Sequence, residues 1–220
     1  MDNNGADDEK NIKIVVCGDG SSGKTSICSR FAKETFDKNY HQTMGLDFYS
    51  RRLTMPGDIH VLLQVWDIGG QSIASEMIDK YIAGAQAALI VYDVTNMRSF
   101  DNVQDWLQVV KRVTKNEEKP PHIALVGNKT DLEQKRVVTV EAHNTLAKKH
   151  DMMPMYVSAK TGDSVLMLFR QTVADLLKIV LSKADQEADI VVVEGEIQSD
   201  AREARRRVDH SQNSNVCNVM

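Results

Sequence analysis

Eight residues, GDGSSGKT from Gly18 to Thr25, constrain this chain more than any other feature. They fit G-x-x-x-x-G-K-[ST], yet Gly18, Gly20 and Gly23 also spell G-x-G-x-x-G, the glycine signature of dinucleotide folds. Both patterns need a buried strand, a glycine turn and then a helix. NIKIVVCG, ahead of the loop, is an apolar, β-branched run suited to a strand buried on both faces. GKTSICSRFAKETF, behind it, spaces Ile27 and Phe31 four apart, a helical interval. A dinucleotide fold also needs an acidic residue ending a second strand roughly 20 positions on. Asp37 has that spacing, but FAKETF before it is polar and helical in pattern. Lys24 and Thr25 settle the choice: an ammonium to neutralise phosphates and a hydroxyl to ligate Mg²⁺. Backbone N–H groups of Gly18, Asp19, Gly20, Ser21, Ser22, Gly23, Lys24, Thr25 and Ser26 are expected to wrap the phosphates.

The rest of the chain alternates between element types. LDFYSRRLTM and DIHVLLQVWD are extended runs separated by Pro56-Gly57, so a hairpin with an antiparallel edge strand is expected. ALIVYD, HIALVGNK and the weaker MPMYVSAK read as further strands, with helices over 99–114, 140–150 and 164–183. In the last helix Val165, Phe169, Val173, Leu176 and Val180 form one core-facing stripe. This alternation argues for an open α/β sheet with helices on both faces. A chain of 220 residues, 42% of them hydrophobic, is long enough for one real core. The expected division is a flexible lead over 1–10, one domain over 11–183, and a mobile tail over 184–220.

Composition narrows the function. A formal charge of -4 gives no reason to expect nucleic acid, which selects a strongly basic face. Three cysteines, Cys17, Cys28 and Cys217, and an acidic start without an apolar core point to a reduced, cytosolic chain. No run approaches the roughly 18 apolar residues of a membrane span.

The motifs at the ends of the strands then identify the nucleotide. In GNKTD, with Asn128, Lys129 and Asp131, the Asp131 carboxylate can accept two hydrogen bonds from guanine, whereas adenine presents the opposite pattern. SAK, comprising Ser158, Ala159 and Lys160, ends the next strand, so three strand ends converge on one ligand. WDIGGQ places Asp67 at a strand terminus, where it can hold Mg²⁺, usually through water; Gly70 and Gln71 follow, and Gln71 can orient an attacking water. Thr43, in HQTMG, offers a hydroxyl for Mg²⁺ and an N–H for the γ-phosphate.

Taken together, GDGSSGKT, Thr43, DIGGQ, NKTD and SAK resemble a small GTPase of the Ras superfamily over roughly residues 11–183. TMGLDF, LIVYDVT and DWL resemble signatures of its Rab subfamily, and WDIGGQ, DKYIAGAQ and SAKTGDSV resemble an atypical branch of it. The resemblance implies a P-loop small-GTPase fold, with a six-stranded, mostly parallel sheet, one antiparallel edge strand and helices on both faces. It implies GTP/GDP and Mg²⁺ as cofactors and slow hydrolysis of GTP to GDP. The implied partners are an exchange factor, a GTPase-activating protein and effectors recruited to intracellular membranes, with the chain acting as a monomer in vesicle, endosomal or ciliary traffic. By the same resemblance Phe36 stacks on the base, Tyr40 covers the phosphates, and Phe48, Trp66 and Tyr81 form the triad that effectors read.

Two departures stand out. Most Rabs carry D-T-A-G-Q-E, where this chain has Asp67-Ile68-Gly69-Gly70-Gln71-Ser72. A Gly-Gly pair lowers the barrier to unusual backbone angles, so a mobile second switch is expected. Gly20 is expected to keep clear a place where a side chain would crowd Gln71. The alternative reading is a GTP-binding scaffold with negligible hydrolysis. The second departure is the end of the chain, where CNVM fits C-a-a-X loosely, with Cys217 the acceptor and methionine favouring farnesyl. One such chain anchors weakly, and Arg202, Arg205, Arg206 and Arg207 offer a second, electrostatic signal. The expected location is the cytosolic face of intracellular membranes.

Overall fold

The computed structural model describes residues 9–188. The Arg-rich run and Cys217 therefore lie outside the described residues. Six strands form one sheet in the order β2-β3-β1-β4-β5-β6. They are β1 (Lys10–Cys17), β2 (Leu46–Met55), β3 (Ile59–Ile68), β4 (Ala87–Asp93), β5 (His122–Asn128) and β6 (Met153–Tyr156). Only the β2/β3 pair is antiparallel, joined across Pro56-Gly57 as the sequence suggested. β1 lies parallel to both β3 and β4, and the ladder continues parallel through β5 to β6. Parallel strands must be covered on both faces. All seven residues of β4 are accordingly buried.

Alternation along β1 assigns the two layers. Ile14 and Val16 point into a core shared with α1 (Lys24–Lys33) and α6 (Val165–Leu177), where Phe31 and Phe169 stack at 3.8 Å. Val15 and Cys17 point the other way. There they meet α2 (Ile78–Ile82), α4 (Val103–Val113) and α5 (Val140–His150), with Trp106 at the centre. Burial among apolar groups pushes the Cys17 thiol up to about 12. Cys28 is also buried, so both thiols pack as small apolar groups.

Local signals place most helix ends. Thr139 caps α5 by accepting from the Ala142 N–H at 3.1 Å, as a hydroxyl at that position should. The single helix expected over 99–114 is instead two, α3 (Met97–Asp101) and α4, meeting at Asn102. The stripe in α6 also ends early. Lys178 turns left-handed at φ 57° and stops the helix, so Val180 is 90% exposed and Leu181 is buried in its place. A short helix, α7 (Lys183–Ala188), occupies the first positions assigned to the tail, and Lys10 lies in β1 rather than in the lead.

His143 on α5 is fully buried, with Nδ1 2.8 Å from the Tyr92 hydroxyl and its ring stacked on Tyr156 at 4.4 Å. Burial lowers its pKa to about 4, with the Arg136 charge acting in the same direction. An unfolded histidine takes up its proton near 6.5, so the folded state binds fewer protons between the two values. Stability is therefore intact above pH 6.5 and is lost as pH falls toward 4. Urea unfolding should show His143 removing about 2 kcal/mol between pH 7.5 and pH 5, a difference absent in His143→Gln.

Candidate functional site

The C-terminal ends of β1, β3, β5 and β6 open onto a cavity of about 870 Å³. Brought together on its wall are Gly20, Ser21, Gly23, Lys24, Thr25, Ser26, Phe36, Tyr40, Thr43, Gly70, Gln71, Asn128, Lys129, Asp131, Ala159 and Lys160. Five more expected residues stand behind that wall. Ser22 is buried with its hydroxyl donating to the Asp19 carbonyl at 2.9 Å, Asp67 bonds Thr25, and Ser158 bonds Asp131. Gly18 directly follows β1, against the Val91 backbone of β4. Asp19 points its carboxylate away, toward α3 and α4.

Chain geometry shapes the loop. Gly18, Ser21 and Gly23 all have positive φ, the alternation that turns successive N–H groups to one side. At Gly23, with φ 90°, an added Cβ would lie 2.2 Å from the Asn128 amide nitrogen, so glycine is required both by angle and by space. Lys24 is 5% exposed, and its Nζ donates to the carbonyls of Gly18 at 2.8 Å and Asp19 at 2.7 Å. Burial lowers its pKa, opposed by the Asp67 charge. A buried ammonium held by neutral carbonyls is short of counter-charge, which suits it to an anion.

At one end of the cavity three oxygens converge. Thr25 Oγ1 donates to Asp67 Oδ2 at 2.5 Å, the Thr25 and Thr43 hydroxyls are 2.7 Å apart, and Thr43 Oγ1 donates to the same Oδ2 at 3.5 Å. The other Asp67 oxygen, Oδ1, is buried without a hydrogen-bond partner. Burial raises the Asp67 pKa, partly offset by Thr25 and Lys24. One carboxylate and two hydroxyls form a hard oxygen set of the kind that holds Mg²⁺ together with substrate phosphates. An orphaned buried carboxylate oxygen fits that ion.

At the other end the loops after β5 and β6 are tied to one another. Asn128 is 1% exposed; its amide donates to the Ser22 carbonyl at 2.8 Å and its oxygen accepts from the Ala159 N–H at 3.1 Å. Ser158 Oγ donates to Asp131 Oδ1 at 2.8 Å, and the Lys160 ammonium lies 3.6 Å from Asp131 Oδ2. Lys129 Nζ meets Asp93 Oδ2 at 2.6 Å. Asp93 was not among the expected site residues, although an acidic residue ending the apolar run ALIVYD was a usable signal.

An added Cβ on Gly20 would meet nothing within 4 Å. The close approach is at the second switch. A Cβ on Gly70 would lie 2.2 Å from the Gly20 nitrogen, and one on Gly69 would lie 2.4 Å from the Thr43 carbonyl. Gly69 itself has φ -58° and ψ 134°, which any residue adopts, so at this position the glycine pair provides room rather than unusual angles. The Gly69 N–H donates to the Gly45 carbonyl at 2.9 Å, tying both switch segments together. Gln71 follows, exposed, on a 3-10 helix spanning Gly70–Ala74. Of the aromatic triad, Phe48 is 60% exposed and packs edge-on against Trp66 at 4.7 Å, while Trp66 and Tyr81 are half-buried.

Residues 13–178 match the Ras family, and the chain belongs to it. It is a small GTPase, a switch that binds GTP or GDP with Mg²⁺ and hydrolyses GTP. Over 217 residues, 96% of this chain and 87% of the relative, it is 61% identical to the Ras-related protein Rab-28 of Caenorhabditis elegans. That places it among the Rab-type members, whose membership implies exchange factors, activating proteins and effectors as partners. Among the described residues no helix is long and apolar enough to cross a membrane.

Replacing Asn128 by alanine would leave the buried Ser22 carbonyl and Ala159 N–H unpaired. Each such group costs about 1–3 kcal/mol, so GDP release should accelerate about 10- to 100-fold, measured by displacement of a fluorescent GDP analogue.

Proposed function

We propose that this chain is a slow GTP timer in which two switch loops sense the γ-phosphate and present an aromatic surface to effectors on intracellular membranes. The observation that carries the reading is the Thr43 hydroxyl, which reaches both Thr25 and Asp67 although it lies in a separate loop. A first switch seated there senses whatever the three oxygens hold.

The residue roles follow from position and chemistry. Thr25, Thr43 and Asp67 would hold Mg²⁺, which when bound would supply positive charge to the phosphate oxygens. Lys24 supplies the fixed positive charge, and the N–H groups from Gly18 to Ser26 orient the phosphates. The Thr43 and Gly70 N–H groups bond the γ-phosphate. Gln71, exposed beside the cavity, orients the attacking water. Asp131 accepts from the guanine edge, held in place by Ser158; the Asn128, Lys129, Ala159 and Lys160 segments frame the ring. Phe36 packs on the base and Tyr40 lies over the phosphates. Phe48, Trp66 and Tyr81 are the effector-facing surface.

No arginine lines the cavity among the described residues. A finger arginine accelerates hydrolysis by roughly 10³ to 10⁵, so the unassisted reaction is slow and a partner supplies the missing charge. Single-turnover GTP hydrolysis by the purified chain should be measurable and slow, and abolished in Gln71→Leu. If neither protein hydrolysed GTP that remained bound, the chain would be a scaffold rather than a timer.

Residues 11–183 form the GTPase domain, which acts as a monomer, and the segment beyond it is the membrane tether. The tail supplies Cys217 for a farnesyl group and a short arginine run for an anionic leaflet. Expressed in cells, wild-type chain should sediment with membranes and Cys217→Ser should remain in the supernatant.

A further inference from the structure

A carboxylate is an awkward group in a loop that binds phosphate, because like charges at short range repel strongly in a partly buried site. Asp19 is such a residue, in the second position of the loop. Its two oxygens are both directed elsewhere. Oδ2 accepts from Asn102 Nδ2 at 2.7 Å, and Oδ1 accepts from Trp106 Nε1 at 3.4 Å. Both donors are neutral, and neither is in the loop.

The fold provides those donors deliberately placed. Asn102 stands at the break between α3 and α4, at the cap position of α4, yet its side chain makes no cap hydrogen bond. The amide goes to Asp19 instead. Trp106 is one turn further along the same helix, 1% exposed, so its indole N–H is fixed by the core. The carbonyl of the same Asp19 receives Lys24 Nζ at 2.7 Å and the Ser22 hydroxyl at 2.9 Å. Gly70 lies so close to the peptide joining Asp19 to Gly20 that a Cβ added there would fall 2.2 Å from the Gly20 nitrogen and 2.7 Å from the Asp19 carbonyl carbon. The position of one side chain thus sets a peptide that the lysine, the loop and the second switch all touch.

We propose that Asn102 and Trp106 are positioning residues for the phosphate loop, holding the Asp19 carboxylate away from the bound nucleotide and thereby setting how long it stays. The inference rests on the reading above that residues 18–26 hold the phosphates. Asn102→Asp would set two carboxylates against each other and drive Asp19 back toward the phosphates. Adding Asp19→Asn reverses the pair: the new amide donates to the new carboxylate, and its oxygen still accepts from Trp106.

The test is the release rate of a fluorescent GDP analogue from the full chain with Mg²⁺, alongside thermal unfolding of each variant. Lys24→Ala is the control for the site: release as slow as wild type in that variant would sink the underlying reading, independently of Asn102. Given a sound site, Asn102→Asp should speed release at least about tenfold, and the reversed pair should return it to within about threefold of wild type. Unchanged release in Asn102→Asp, release not recovered by the reversed pair, or a lowered unfolding temperature with unchanged release would overturn the proposal. Should Asn102→Asp fail to fold, Asn102→Leu deletes only the donor; faster release supports the proposal and unchanged release overturns it.

Discussion

The buried amide of Asn128 is the join on which the site depends. It sits at the end of β5, between the phosphate loop and the loop after β6, and bonds one backbone group of each. Two loops from strands not adjacent in the sheet are thereby fixed to a third. The Gly23 backbone approaches this amide so closely that no side chain fits between. Such a bond is worth most where water cannot compete for the partners, and at 1% exposure it cannot.

The sheet explains why this arrangement is available. Parallel strands deliver their C-terminal ends to one edge, and the helices that follow start there with unpaired N–H groups. α1 begins at Lys24, directly after the loop, so the helix N-terminus and the lysine face the same point. Against this positive end stands Asp67, buried and with one oxygen unpartnered. The two buried charges are pushed by burial toward neutrality from opposite directions, Lys24 downward and Asp67 upward. Phosphate and a divalent cation relieve both, so the protein's own strain favours the charged ligand pair.

The switches are joined to this centre by small contacts rather than by a shared core. Thr43 reaches it by one hydroxyl, and the second switch reaches it by the backbone of Gly69 and Gly70. Two loops held this lightly can be released together when the group between them is lost. The exposed Phe48 lies on β2, which begins just after Thr43, so seating the hydroxyl also fixes the entry to the aromatic surface.

The sequence alone determined the sheet class and the antiparallel edge, and it carried the motifs by which the family is recognised. These are legible because each depends on residues close together in the chain: a glycine loop between apolar strand and helix, or an acid after an apolar run. Even the bounds of α5 were readable, since Thr139 caps it locally. Contacts between distant segments decided the rest. Asp93 against Lys129, Asn102 and Trp106 against Asp19, and Gly70 against Gly20 all join residues far apart in sequence. The break at Asn102 and the early end of α6 left no periodic signal, because a helix pattern continues through a single residue whose side chain or backbone angle is set by tertiary contact. Spacing along a chain encodes which face a residue takes; only packing decides what that face meets.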